Sequence, residues 1–553
     1  MIIPGGPSRL RPVMTTQDAP LPSFGLTDGS APRRFPSGRS TLLCFVKEDC
    51  PTCRLSMPLI REMQERYGEA VDVWAVGQDA AGNAVLMDEF GLPGPMLDDS
   101  ALRVSFAFAI DTVPTLILTD GAGREQRRFH GFGRDDFRDM TTELSRLSGL
   151  GGVDVDWDGY PVSMPGCGSK SMEPGIYERL QAEAEGSPLR ARRIEVGAQE
   201  DVYELLYEQG VTDGLPVVPP TPERVVRMLA TTDRDPQEQI AVLPPNLAPL
   251  TIEKVAINAV LAGCRPEYFP VVLAATEAVA DERFNVHGAM ATTMGGAPVL
   301  IVNGPVRDRI GMNSGQGALG QGNRANATIG RAVRLVVRNI GGHRPGGTER
   351  STIGWPGKYT LCFAEAEEMA PDWTPLHVER GFDREDSVVT ALIQTAGPSQ
   401  VIDETSRTPE ALAGSIGLKA AMARHAKMPA IGETLVVISP EHYRTLAAAG
   451  WSKDDLRRRI QEVGAQPLGA LLADEESGGL AGAALRPFLK NGELSEADLD
   501  RPVRKFKQDD WLMIVVAGGG AGKWSAVLDA FAAGPWGTMA VSRKIAPIRE
   551  AAG

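Results

Sequence analysis

Short apolar runs and longer helix-like stretches alternate along the N-terminal part of the chain. Residues 41–46, 71–76 and 115–119 are continuous apolar runs of buried-strand length. Residues 54–67 and 134–147 read as helices between and after them, and a glycine-bearing turn at 120–123 leads into a further extended stretch at 127–132. The pattern resumes beyond residue 194. Helices are expected at 202–209, after the Thr221-Pro222-Glu223 start, at 252–260 with Ile252, Val255, Ala256, Ala259 and Val260 on one face, and at 267–280. Strands are expected at 299–302, 359–363, 434–438 and 511–516, and helices at 327–339, 440–449, 452–463 and 526–533. Strands alternating with helices over such a length make the second part an α/β domain.

The chemistry begins at Cys50-Pro51-Thr52-Cys53, between the first strand and the first helix. Two thiols at this spacing can make and break a disulfide, and a helix N-terminus favours the thiolate of Cys50. Half of a zinc site has the same spacing, but no second CxxC exists and Cys44, Cys167, Cys264 and Cys362 are scattered singly. With the strand–helix order and the Val113-Pro114-Thr115 entry to the third strand, residues 36–148 resemble the thioredoxin fold. The resemblance implies that Pro114 is cis and lies opposite the dithiol, that Cys50 attacks, and that Cys53 resolves. Glu48-Asp49 stands where that family usually has a tryptophan, and two carboxylates there are expected to raise the Cys50 pKa.

Residues 1–35, rich in Pro, Ser and Gly, read as a flexible arm without the apolar core of a secretory signal. Residues 149–193 read as a Gly/Pro-rich linker. It carries Cys167 between two glycines, a candidate mobile relay that visits Cys50 and then a second site.

In the second part, 194–553, which could divide into two lobes, the densest polar chemistry lies at residues 285–326 and 341–347. Asn313, Ser314, Asn323, Arg324 and Asn326, with His343, are candidate ligands for an anion held by a glycine-rich loop and the following helix. Residues 517–525 resemble a phosphate-binding loop in outline, with Lys523 as the cation, but lack its first glycine and its Ser/Thr after the lysine. Glu365 is the best acid–base carboxylate, with His287 or with His377, Glu379 and Arg380. His287, His343, His377 and Glu365 have no tight metal-ligand spacing, so no metal is expected. The only redox group expected is the disulfide itself.

Composition narrows these options. Apolar residues make up 42% and charged residues 23%, as in a globular protein, and the length suggests about three or four domains. A net charge of −14 argues against general nucleic-acid binding, and no apolar run is long enough to span a membrane. Six cysteines in 553 residues fit a reducing cytoplasm. A glycine-rich α/β domain of this size is compatible with a homo-oligomer.

The sequence therefore predicts a thioredoxin-like domain joined by a Gly/Pro-rich linker to a larger α/β domain. The function expected first is a thiol-dependent oxidoreductase or reductive lyase. Its CxxC would pass electrons, with Cys167 as a relay, to a small anionic substrate, and a cellular thiol reductant would restore it. The alternative is a C-terminal hydrolase, lyase or transferase maintained or regulated by the fused domain. A third reading, a non-enzymatic scaffold, is disfavoured by the intact CxxC.

Overall fold

In the computed structural model, residues 19–29, 32–173, 176–194, 196, 200–534 and 537–549 are described. The chain divides into two compact units, residues 1–194 and 195–553. Among the described residues no helix is long and apolar enough to cross a membrane.

The first unit opens with a two-stranded hairpin, β1 (Phe24–Thr27) and β2 (Pro32–Phe35), whose Phe24 and Phe35 rings stack at 5.1 Å. The part of the expected N-terminal arm that can be described is thus packed, because its phenylalanines bury against Phe108; residues 1–18 and 30–31 lie outside the described residues. The central sheet is built from β3 (Thr41–Val46), β4 (Asp72–Gly77), β5 (Met96–Asp98), β7 (Thr115–Thr119) and β8 (Glu125–His130), in the order β5-β4-β3-β7-β8. β3, β4 and β5 are parallel; β7 and β8 are antiparallel additions. Every residue of β3 is buried, so the strand reads as an unbroken apolar run rather than an alternating one. Helices α1 (Pro51–Tyr67) and α4 (Arg134–Ser148) contribute Met57, Ile60, Met63, Phe137, Met140 and Leu144 to its core. The helices α2 (Ala80–Phe90) and α3 (Arg103–Ala107) and the two-residue strand β6 (Thr112–Val113) complete the α/β frame.

The stretch expected as a linker belongs to this unit. Ser163–Met164 (β10) pairs with Phe132–Gly133 (β9), and Cys167–Gly168 (β11) pairs antiparallel with β6. Val153, Val155, Trp157 and Tyr160 pack against the core, which explains the placement. Glycine and proline punctuate this segment without freeing it, and Ile176–Ala184 (α5) follows.

In the second unit a short hairpin, β12 (Gln239–Leu243) with β13 (Ala248–Thr251), precedes a seven-stranded sheet. Two modules repeat one plan. β14 (Ala297–Asn303) runs parallel to β15 (Cys362–Ala364) and antiparallel to the long strand β16 (Val388–Ile402). β17 (Thr434–Ile438) runs parallel to Leu512–Val516 and antiparallel to Trp524–Ala530. β16 pairs with Trp524–Ala530, joining the modules, and Val541–Lys544 also lies on β16. The sheet curls until its edges meet, where Ala366 N donates to Val516 O at 2.7 Å. Its inner face buries Val299, Ile301, Phe363, Leu435, Val437, Val515 and Leu528 from both modules. Helices Pro409–Ala421, Pro440–Ala447 and Lys453–Gly464 cover the opposite face of the second module. In the first module Arg324–Asn339 packs on Ile252–Ala262 and Phe269–Ala280. The helix expected at 526–533 is a strand, because Ala526 and Leu528 face the inner core while Val527 faces the covering helices, a period of two.

Candidate functional site

The helix α1 begins at Cys50, which acts as its N-cap: Cys53 N donates to Cys50 Sγ at 3.3 Å, and Pro51 occupies the first turn. This places the first thiol on the positive end of a 17-residue helix. Across from it the Val113–Pro114 peptide bond is cis, and Cys50 Sγ lies 3.4 Å from Val113 O. A parallel β5-β4-β3 half-sheet, an antiparallel β7-β8 half, a dithiol at the start of the helix after β3 and a cis proline opposite it define one architecture. The N-terminal unit carries a thioredoxin fold. Solved structures similar to the chain match over this N-terminal part. A secreted Mycobacterium tuberculosis disulfide oxidoreductase homologous to E. coli DsbE is 16% identical, covering 22% of this chain and 96% of its own at a TM-score of 0.20. StoA from Bacillus subtilis is 21% identical, covering 20% and 88% at 0.19. The thioredoxin domain of a Bacteroides vulgatus thiol-disulfide oxidoreductase is 16% identical, covering 23% and 95% at 0.21. No protein-family model matches the sequence, and no curated protein matches it.

In this thioredoxin-fold unit the two thiols differ sharply. The Cys50 pKa is lowered to about 5, first by the hydrogen bond from the Cys53 thiol, then by that from the Cys167 thiol, against the cost of burial. Cys53 is pushed far up by burial and by the neighbouring Cys50 thiolate. The expected upward push on Cys50 from Glu48 and Asp49 does not occur. Glu48 pairs with Arg54 at 2.6 Å and Asp49 with Lys47 at 3.4 Å, so each carboxylate is answered by its own cation.

Cys167 is the third member of the site. β11 pairs with β6 so that Cys167 lies opposite Val113, the residue before the cis proline, and its thiol reaches Cys50. The segment is tied on both sides. Thr52 Oγ1 donates to Pro165 O at 2.7 Å, Ser169 N to Asp111 O at 2.9 Å, and Gln78 Nε2 to Ser169 Oγ at 2.7 Å. The Lys170 ammonium meets Asp79 at 3.0 Å. Gly166 is required by close approach, since a Cβ there would stand 2.4 Å from Thr112 Cγ2 and 2.6 Å from Val113 O. Cys167 is therefore built into the dithiol site, in place of the freely moving arm expected from its glycines. Cys50 is 0% exposed, whereas Cys167 is partly exposed.

The other cysteines are of a different kind. Cys44, Cys264 and Cys362 are buried, and burial raises all three, Cys264 to about 12. They are small apolar residues of the cores.

The glycine-loop residues of the second unit are spent on the chain itself. Asn326 Nδ2 donates to Asn313 O at 2.8 Å, its Oδ1 accepts from Asn313 N, and Asn323 caps the helix Arg324–Asn339. Asn313 closes a local turn with Gly315 and Gln316, Ser314 O accepts from Gly518 N, and Arg324 Nε donates to Gly263 O. These hydrogen bonds fold the loop, and Arg324 also lines a small cavity with Arg224, Arg227 and Cys264. Lys523 Nζ donates to Glu404 O at 3.3 Å, and its loop enters a strand. Without a helix N-terminus there, the resemblance to a phosphate loop fails.

Glu365 and His287, paired in the expectation, lie in separate clusters. Glu365 is 2% exposed and accepts from Asn303 Nδ2 at 2.7 Å and Leu376 N at 2.8 Å, with Lys453 Nζ at 3.5 Å. Lys453 also meets Glu379 at 3.1 Å, Arg380 donates to Ser542 and Ala540 O, and His377 Nε2 faces Arg384 O. His287 instead lies against His343, ring centres 5.5 Å apart. Among the described residues, no three His, Cys, Asp or Glu side chains form a metal-binding group.

Proposed function

We propose that the protein is a thiol-disulfide oxidoreductase in which Cys50 and Cys53 are the two-electron couple and Cys167 is its outward-facing relay. The observation that carries the reading is the low-pKa Cys50, held between Cys53 and Cys167 while shut away from solvent. A thiolate shut away from solvent does not meet a client disulfide directly, but the partly exposed Cys167 can.

The chemistry balances as three exchanges. The Cys167 sulfur attacks a client disulfide, and the client thiolate it expels takes up the Cys167 proton, leaving a mixed disulfide. The Cys50 thiolate attacks the Cys167 sulfur and expels the second client thiolate. Cys53, deprotonated as the Cys50 thiolate is consumed, attacks Cys50 and releases Cys167. Two protons and two electrons have then moved to the client, and a Cys50–Cys53 disulfide remains. A cellular dithiol reductant reverses this last bond. The client is a small anionic substrate of the C-terminal unit, which makes the fused couple a donor at high effective concentration. A reducing cytoplasm is the compartment that supports the cycle, since regeneration needs a thiol donor.

Mass-spectrometric thiol trapping after mild oxidation tests the relay. Cys50–Cys53 and Cys50–Cys167 disulfides that interconvert are expected. A Cys167 that never pairs with Cys50 would sink the relay while leaving the Cys50–Cys53 couple standing.

A further inference from the structure

The second unit holds a cavity of about 480 Å³ lined by Arg334, Arg338, His343, Glu349, Trp355, Lys358 and Tyr359, among others. Its charges do not balance. Arg334 is 7% exposed and Lys358 is also largely shielded, and both share one carboxylate, Glu349, at 3.3 and 3.1 Å. Asp213, at the rim, is taken by Arg331 at 2.7 Å. Arg338 has neither a hydrogen-bonded nor an ion-paired side-chain partner among the described residues, and its Nε is buried and unsatisfied. Three cations thus share Glu349, while Asp213 in the same wall is engaged by a fourth, Arg331.

Beyond Glu349, the one carboxylate felt by Arg334 and Arg338 is Asp213, which Arg331 already holds. Burial holds His343 neutral, its pKa lowered to about 4, and its Nε2 is spent on Pro244 O at 2.9 Å. Burial also lowers Arg334, Arg338 and Lys358, the direction expected where cations are crowded out of water without enough counter-charge. Arg338 is half-buried with its Nε shut from water and unpartnered, a cost that an anionic ligand would offset. Arg334 and Arg338 lie one turn apart on the helix Arg324–Asn339, so both arrive on one side.

Much of the remaining wall is apolar or aromatic. Trp355 is anchored by its Nε1 donating to Gly295 O at 2.6 Å, and its ring covers Gly357, where a Cβ would stand 2.3 Å from it. Ile353 at the mouth is 95% exposed. A guanidinium with open donors beside a fixed aromatic ring suits a planar carboxylate carrying an apolar body.

We infer that this cavity is the binding site for a small organic carboxylate, its charge met by Arg338 and its apolar body by Trp355 and Tyr359. The inference deepens the reading of the second unit as the holder of a small anionic substrate, but the binding itself needs no redox step.

Titration calorimetry on the reduced full chain, with benzoate, benzamide and inorganic phosphate as probes, tests it. Benzoate should bind, with benzamide and phosphate each weaker by about tenfold or more. Arg338→Gln should weaken benzoate by about ten- to hundredfold and Arg338→Lys by less, while the unliganded R338Q chain keeps or raises its melting temperature. Equal binding of benzoate and benzamide, no binding of benzoate, tighter binding of phosphate, or a melting temperature lowered by R338Q would each overturn the assignment. Repeating the titration on the oxidised chain separates the two proposals: unchanged benzoate binding alongside a failed relay leaves this site intact.

Discussion

The two units use polar chemistry in opposite ways. In the first, three sulfurs share two protons, and the asymmetry between Cys50 and Cys53 comes from hydrogen bonds donated to a single thiolate. In the second, the residues that look most chemical are spent on folding, and the unbalanced charge sits on an ordinary-looking helix face. Chemistry concentrated in a short motif announces itself; chemistry assembled from separate segments does not.

The comparison breaks most readily at Cys50. Cys50→Ser should abolish disulfide reduction altogether, while benzoate binding to the second unit stays within about twofold of the parent; a loss of binding would show that the two regions are not separate in function. Next in size, Leu528→Ala should cost about 2–5 kcal/mol in the second unit, read by denaturant unfolding, because Leu528 is wholly buried on the inner face. The same variant should leave the alkylation rate of Cys50 unchanged.

Gly166→Ala should cost about 1–3 kcal/mol, because the added methyl forces β11 away from β6. It should also raise the rate at which iodoacetamide alkylates Cys50. The smallest effect concerns the proton. With Cys50 at about 5, its alkylation rate should be flat from pH 7 to 9 and fall about tenfold per pH unit below the pKa, as the thiolate takes up its proton. Cys167→Ser keeps a hydroxyl donor and should move this profile little, whereas Cys167→Ala removes the donor and should shift it upward. Identical profiles for C167A and the parent would remove Cys167 from the electrostatics of the site.

These contrasts also explain what could be read in advance. The Cys50–Cys53 pair, the strands at 41–46 and 115–119 and the cis Pro114 are local features or follow from a local resemblance. The pairing of Cys167 with Val113 is not local. Nothing near Pro165-Gly166-Cys167 distinguishes a glycine that loosens a chain from one that lets two strands touch. Asn313, Asn323 and Asn326 misled for a related reason: asparagine suits ligand contacts and also caps and bridges, and here the backbone claims it. Arg334 and Arg338 gave no signal because arginine on a helix is normally solvated surface. Only the burial of Arg334 and of Arg338 Nε, and the shortage of carboxylates around them, marks them out. Lys523 followed a glycine-rich stretch, but the alternation of Ala526, Val527 and Leu528 carried the strand signal.

The curled sheet has a further implication. Glu365 N donates to Val302 O where the first parallel pair ends, and Ala517 N donates to Ile438 O where the second ends. These are the same bond in two copies of one plan, which gives the second unit an approximate internal duplication. Its copies have diverged in polarity at matching places: Asn303 and Glu365 cap one, Ser439 and Ala517 the other. One module carries the helix with Arg334 and Arg338, and the other supplies Val516 O, to which Ala366 N of the first donates. A duplicated scaffold of this kind can alter one half's chemistry while its counterpart preserves the shape.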